Sequence, residues 1–285
     1  VTGWVPGQSW AFNVARVAEL TRIRIGSRHT DPRSGLPLDV FIPAAEHDWD
    51  VLGVAIEAVQ RHLAHPVETI WVVTALGSKS ARIAEELGCH VVDEDRILPI
   101  VRADIDYRVG SLDRSGWLFQ QLLKLSADTI SPQETVLVLD ADTVLVRPQS
   151  FTSSGRPVLF HSSEYHEPYF HAYRAVTGLE PASRVSCTTH HMLMNRRVLA
   201  SVKALMEETR SVPWWQAVLD CCDYSSISGF SEYELYGNYQ LTHDDGTVRR
   251  WWSNAARPKA ELARLEVLRN RYGASFRTVS FHHYL

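Results

Sequence analysis

At 285 residues the chain is long enough for one large α/β domain or two small ones, and it can bury a substantial core. Hydrophobic residues at 45% and charged residues at 22% describe an ordinary globular protein and exclude a disordered or low-complexity chain. A net charge of −4 gives no reason to expect nucleic acid or an anionic membrane as the main partner.

Residues 1–37 read as an extension. Its start, Val1-Thr-Gly-Trp-Val-Pro-Gly7, lacks the charged-then-apolar pattern of a signal peptide. No apolar run in the chain approaches the roughly 18 residues of a membrane span. A cytoplasmic location without a transmembrane segment is therefore expected. Phe12, Val14, Val17 and Leu20 form a helical pattern that leads into the polar, basic stretch Thr21–Arg33. Ser34-Gly-Leu-Pro37 then marks the entrance to a main domain over residues 38–285.

Asp39–Ala45 reads as a first buried strand, ended by Pro43. A helix over Asp48–Leu63 follows, with Val51, Leu52, Ala55, Ile56, Val59 and Leu63 at helical spacing and Pro66 closing it. Glu68–Thr74 is a second strand and Ser78–Leu87 a helix stopped by Gly88. Cys89–Asp95 is a third short strand that ends in acids. Strand and helix in alternation predict right-handed parallel βαβ units, a Rossmann-like half over residues 38–147.

Ser115–Ser126 is helical, with Trp117, Leu118, Leu122 and Leu125 on a core-facing stripe. Lys124 lies off that stripe, as a solvated lysine or as a counter-charge for a site just beyond. The chain then passes Ser131-Pro132 into Val136–Leu139, a run with the composition of a buried strand. Asp140 and Asp142 sit where that strand leaves the core, at the carboxyl edge of the sheet, where open α/β folds place ligands. In extended chain, residues i and i+2 point the same way, so both carboxylates can face one point. Like charges so close call for a cation or a shared proton, and an all-oxygen pair favours Mn2+ or Mg2+. The competing reading makes the two acids turn formers or helix caps.

After Arg147-Pro148 the βαβ rhythm fades, and residues 148–285 form a second half. Val158–Ser162 is a strand candidate, followed by the polar cluster His161–His166. Val185–Asn195 mixes strand character with the pair His190-His191. Arg197–Thr209 and Trp214–Cys222 read as helices. Gly229–Asn238 opens like a helix amino terminus, with Ser231 as cap and Glu234 at the third position. Ala260–Tyr272 is a helix and Thr278–Phe281 a final strand, followed by His282-His283. The four cysteines, Cys89, Cys187, Cys221 and Cys222, show no Cys-x-x-Cys spacing and are expected to be reduced.

A Rossmann-like half, a helix bearing a basic residue, then Val138-Leu-Asp-Ala-Asp-Thr-Val-Leu145 resembles the Asp-x-Asp core of metal-dependent glycosyltransferases of the GT-A fold. The strings Gly116–Leu125, Thr189-His-His-Met-Leu193 and Phe230–Gly237 resemble a group of bacterial proteins described only as a domain of unknown function within that class. The likeness runs from about Asp39 to His283. It implies an α/β, GT-A-like mixed sheet, mostly parallel and flanked by helices. It also implies a UDP- or GDP-sugar donor, a small-molecule or glycan acceptor, and Mn2+ or Mg2+ as cofactor.

The resemblance further implies residue roles. Asp142 would ligate the metal, and Asp140 the metal, the donor ribose, or both. A late histidine, His282 or His283, would supply a third ligand. Lys124 would neutralise the diphosphate, with Gln121 and Ala141 also on the donor side. Pro43, Ala44, Ala45, Glu46 and Asp93 would border base and ribose. In an inverting transfer Glu232 or Glu234 would be the acceptor base. Glu234 could instead be the capping partner of Ser231, which would leave Glu232 for chemistry. His190, His191, Tyr233 and Trp251 would face the acceptor, although Trp251-Trp252 also suits core packing.

Two rivals use similar residues. A haloacid-dehalogenase-type phosphatase shares the motif, with Asp140 as nucleophile and Asp142 as acid/base. That class opens its domain with this motif, whereas 139 residues precede Asp140 here. Its later acidic pair could only be Asp244-Asp245, which follows a poor strand. A sugar nucleotidyltransferase would carry a Gly-rich basic loop after the first strand, and Pro43-Ala-Ala-Glu-His-Asp48 lacks one.

Overall fold

The structure, a computed structural model, describes residues 3–27 and 33–282. Its centre is a five-stranded sheet in the order His191–Asn195, Thr135–Leu139, Leu38–Pro43, Val67–Thr74, His90–Asp93. The last four strands are parallel, and His191–Asn195 runs antiparallel beside Thr135–Leu139. The expected mostly parallel α/β sheet is therefore present.

Side-chain alternation divides the core between the two faces of this sheet. Val40, Ile42, Leu137 and Leu139 pack with Val51, Leu52, Ala55, Ile56 and Val59 of the helix Trp49–His62. Phe41, Val136 and Val138 point the other way, against Leu118, Leu122 and Leu125 of the helix Ser115–Leu125. A strand covered on both faces must be apolar throughout, which is why Val136–Leu139 reads as an unbroken run. Each such side chain contributes about 1.5–3 kcal/mol by burial.

Two smaller sheets complete the second half. One orders Asn254–Pro258, Thr278–His282 and Thr143–Leu145; the other orders Val248–Trp251, Arg156–His161 and Thr152–Ser153. The chain thus leaves the central sheet at Leu139 and joins another at Thr143. Asp140-Ala141-Asp142 is the step between them, closed by a turn from Thr143 N to Asp140 O at 3.1 Å.

Three local expectations need correction. The first helix runs Trp10–Gly26, continuing through the supposed polar stretch, and it buries Asn13, Arg16, Leu20 and Ile23 while Val14 is exposed. The polar pair goes inward because its groups are satisfied there. Asn13 accepts from Val5 N at 2.7 Å, and the Arg16 guanidinium donates to the carbonyls of Arg184 at 3.0 Å, Ser163 at 3.1 Å and Gly3. Second, Ala260–Tyr272 is not one α-helix: a 3-10 turn over Lys259–Arg264 precedes the α-helix Leu265–Tyr272. Third, Val185–His190 is irregular, and strand begins only at His191, because His190 takes a left-handed φ of 57°.

Candidate functional site

The sheet change sets the geometry of the acids. Asp140 N donates to His190 O at 2.9 Å, and Phe281 N donates to Asp142 O at 2.9 Å. Backbone pairing therefore brings His190 to one side of the acid step and His282 to the other. Asp140, Asp142 and His190 each offer a ligand atom within 4.8 Å of the others. His282 Nδ1 lies 2.9 Å from Asp142 Oδ2, and the Thr143 hydroxyl donates to Asp142 Oδ1 at 3.1 Å. His190 Nδ1 is held by the Ser280 and Thr143 hydroxyls at 3.1 and 3.3 Å, which fixes the ring and leaves Nε2 for a ligand. Trp252 packs on the His190 ring at 4.9 Å and donates its indole N–H to Thr278.

The protonation states suit a cation. Burial lowers the His190 pKa, only partly countered by Asp140 and Asp142, so its imidazole is neutral. Burial also pulls His282 down, but the hydrogen bond and charge of Asp142 outweigh it and raise its pKa. For Asp142, burial pushes upward, and the hydrogen bond and charge of His282 lead the effects that more than offset this, so the pKa ends lowered. Two acidic oxygens and a neutral imidazole form an O/N donor set that fits Mn2+ or Mg2+. His283 lies outside the described residues.

Beneath the acids lies a buried ionic cluster. Lys124, 4% exposed, places Nζ 2.5 Å from Asp140 Oδ1 and 2.7 Å from Glu232 Oε1. Its ammonium sits 4.6 Å from the centre of the Tyr233 ring, and the Tyr233 hydroxyl donates to Asp140 Oδ1 at 2.8 Å. Lys124 is thus neither solvated nor free to reach outward. Burial opposes its charge, yet the two carboxylates outweigh that and raise its pKa. One ammonium serves two acids, and buried Glu232 is pushed upward, by burial first and by Asp140 as well. Glu232 is paired rather than left free.

Glu234 does something else. Ser231 caps the helix Glu232–His243 by accepting from Glu234 N at 3.2 Å, but the Glu234 carboxylate does not return to complete a capping box. It accepts instead from Ser186 OH at 2.7 Å, Cys187 N at 3.1 Å and Asn238 Nδ2 at 2.8 Å, fastening the irregular segment before His190. Burial pushes its pKa up to about 7. Gly237 makes this approach possible: a Cβ there would lie 2.6 Å from Cys187 Cβ.

The remaining sequence candidates disperse. His191 is buried in an aromatic cage, its ring 5.0 Å from Phe151, 5.3 Å from Phe160 and 5.9 Å from Trp252, so it does not face the site. Trp251 packs with Leu20 and Ile23 under the first helix, with Arg24 stacked 4.3 Å above it. Its neighbour Trp252 holds the site position. Pro43 and Ala44 are buried at the end of the first strand and Ala45 is half-buried; exposed Glu46 accepts from Lys79 N at 3.1 Å. Asp93 pairs with Arg96 at 3.3 Å. Gln121 donates to Trp117 O at 3.3 Å, and Ala141 is buried between the acids.

Sequence reasoning missed Asp48, a buried carboxyl whose pKa is raised by burial and also by the charge of Asp142. It accepts from Ala45 N at 3.2 Å. A lone acid before a helix carries only a capping signal, so nothing in the sequence tied it to Asp142. Ser280 was missed too, because its value lies in meeting Thr143 at 2.9 Å across two sheet strands.

The model of a family of unknown function (DUF6492) matches residues 54–268. No curated protein matches the chain. Among solved structures, the chain is similar to mouse xyloside xylosyltransferase 1 in its apo form, at 13% identity and a TM-score of 0.47 over 87% of this chain and 99% of that one. The galactosyltransferase LgtC in complex with donor and acceptor sugar analogues matches at 13% identity and 0.45, over 86% and 87%. Glucosyl-3-phosphoglycerate synthase from Mycobacterium tuberculosis, in complex with Mn2+, UDP and glucosyl-3-phosphoglycerate, matches at 15% identity and 0.35, over 84% and 78%.

Proposed function

The chain belongs to the family of unknown function DUF6492, and we propose that it is a metal-dependent glycosyltransferase of GT-A-like fold that moves a sugar from a nucleotide donor to a hydroxyl acceptor. The observation that carries this reading is the convergence of Asp140, Asp142 and His190 at the carboxyl edge of a mostly parallel sheet. In it, residues 38–147 hold the nucleotide and residues 148–285 the acceptor.

Asp140, Asp142 and His190 would hold the Mn2+ or Mg2+, with His282 orienting Asp142, or joining it as a ligand once it gives up a proton. The ion supplies charge for the departing diphosphate. Lys124 and Tyr233 fix Asp140 Oδ1, so that oxygen is committed and the ion would take Oδ2. Thr143 and Ser280 hold the His190 ring in place. Glu232 can take an acceptor proton only by leaving Lys124, while Glu234 supports the loop that carries His190. The rivals fit less well. A phosphatase would need one oxygen of Asp140 on the metal and the other as nucleophile, and Lys124 and Tyr233 already hold Oδ1.

Calorimetry with UDP and GDP, with and without Mn2+, tests this. Manganese-dependent heat with one nucleotide supports the reading; equal heats in both conditions count against it.

A further inference from the structure

The first helix turns the wrong face to water. Its inner face buries polar Asn13 and Arg16 along with Leu20 and Ile23. Its outer face exposes Trp10 by 72%, Ile25 by 61% and Val14 by 43%, and Trp4 just before it is 49% exposed. At 100° per residue, Trp10, Val14, Ala18, Thr21 and Ile25 fall on one arc opposite the buried one, with Arg22 at its edge. An amphipathic helix whose apolar stripe points outward marks a contact surface.

We propose that this helix docks the protein on an anionic lipid bilayer, lying in the plane of the interface with Trp10, Val14 and Ile25 inserted. Two observations favour lipid over a second copy of the chain. Residues 1–33 contain five arginines against only Glu19 and Asp31, in a chain whose net charge is −4, and the helix itself presents Arg22 and Arg24 to solvent. Glu19 is withdrawn from the surface, paired with Arg249 at 2.5 Å, while Arg22, Arg24 and Arg33 are exposed. A self-complementary dimer would bring two copies of this positive patch together. Tryptophan beside arginine is also the side-chain mixture that settles at the headgroup level. No helix among the described residues is long and apolar enough to cross a membrane, so the contact is peripheral.

Co-sedimentation of the full chain with vesicles of phosphatidylcholine alone, or mixed equally with phosphatidylglycerol, decides it. The protein should pellet with the anionic vesicles, less at raised salt, and stay in solution with the neutral ones. Arg22→Gln, an exposed change between good helix formers, should lower binding about five-fold. Trp10→Ser should lower it further with an unchanged far-ultraviolet circular dichroism spectrum. Failure to pellet with anionic vesicles, equal pelleting with neutral ones, or a dimer by light scattering that Trp10→Ser dissolves would each overturn the proposal. None of these outcomes bears on the sugar-transfer reading, which calorimetry tests separately.

Discussion

Lys124 and Asp140 form a 2.5 Å ion pair in which the lysine is buried and the acid half-buried, and the same ammonium also neutralises buried Glu232. Removing one partner of a buried pair leaves an uncompensated charge, which costs far more than the pair itself contributes. Lys124→Met should therefore destabilise the protein by about 3–5 kcal/mol in urea unfolding. Adding Glu232→Gln should recover part of that loss. A single variant as stable as wild type would mean that the cluster is dispensable.

Asp142 touches both His282 and Thr143 and shares the convergent point with His190. Wild type should gain thermal stability with Mn2+ by mass action, about 2.7 kcal/mol at a hundred-fold excess over the dissociation constant. Asp142→Asn should remove that gain and leave the metal-free melting temperature within a few degrees. A persisting manganese shift would show that the ion sits elsewhere.

His161 and His191 are both buried, and burial pulls each pKa down to about 3. Their unfolded values lie near 6.5. The folded state thus binds fewer protons between these limits, so its stability is full above about pH 6.5 and declines as pH falls towards 3. Arg249 donates to His161 Nε2 at 2.9 Å, which leaves Nδ1–H for Val185 O. Neither ring nitrogen of His191 has a hydrogen-bond partner among the described residues. His191→Phe should therefore flatten the acid limb of a stability-against-pH curve, whereas His161→Phe should destabilise at every pH.

Glu234 works in the opposite sense. Its carboxyl rises to about 7 on burial, so the stability it lends is full below about pH 4.5 and declines as pH rises through 7. Glu234→Gln removes that dependence, but its amide N–H2 must face donors in either orientation, Ser186 and Cys187 at one oxygen's place or Asn238 at the other's. The expected result is a flatter curve above pH 5 with a lower maximum, read by thermal unfolding across pH.

The sheet and the acid pair were legible because they depend on local pattern. Val136–Leu139 is apolar at every position because both faces are covered, and the acids after it mark the strand exit. The buried position of Lys124 was not legible, since its place near the helix end suits a solvated lysine equally well. What buries it is Glu232, 108 residues further along the sequence. The helix Glu167–Thr177 has Pro168 near its start, Gly178 just past its end and Tyr169, Phe170 and Tyr173 at helical spacing, yet the sequence reading assigns nothing between the polar cluster His161–His166 and Val185. The first helix was misread for its own reason. Periodicity counts apolar residues, and it cannot tell that Arg16 will find three carbonyls waiting inside.

The step from one sheet to another across Asp140-Ala141-Asp142 also bears on how the chain acquires its order. Thr135–Leu139 joins early neighbours, but Thr143–Leu145 must wait for a strand more than a hundred residues downstream. Pairings that distant form slowly, because a long loop has to close first. In pulsed hydrogen exchange the amide of Val138 should therefore gain protection before that of Phe281. Until the later pairing zips up, the acids would be fastened on one flank only, and a divalent ion would act as a clasp on nearly finished cloth.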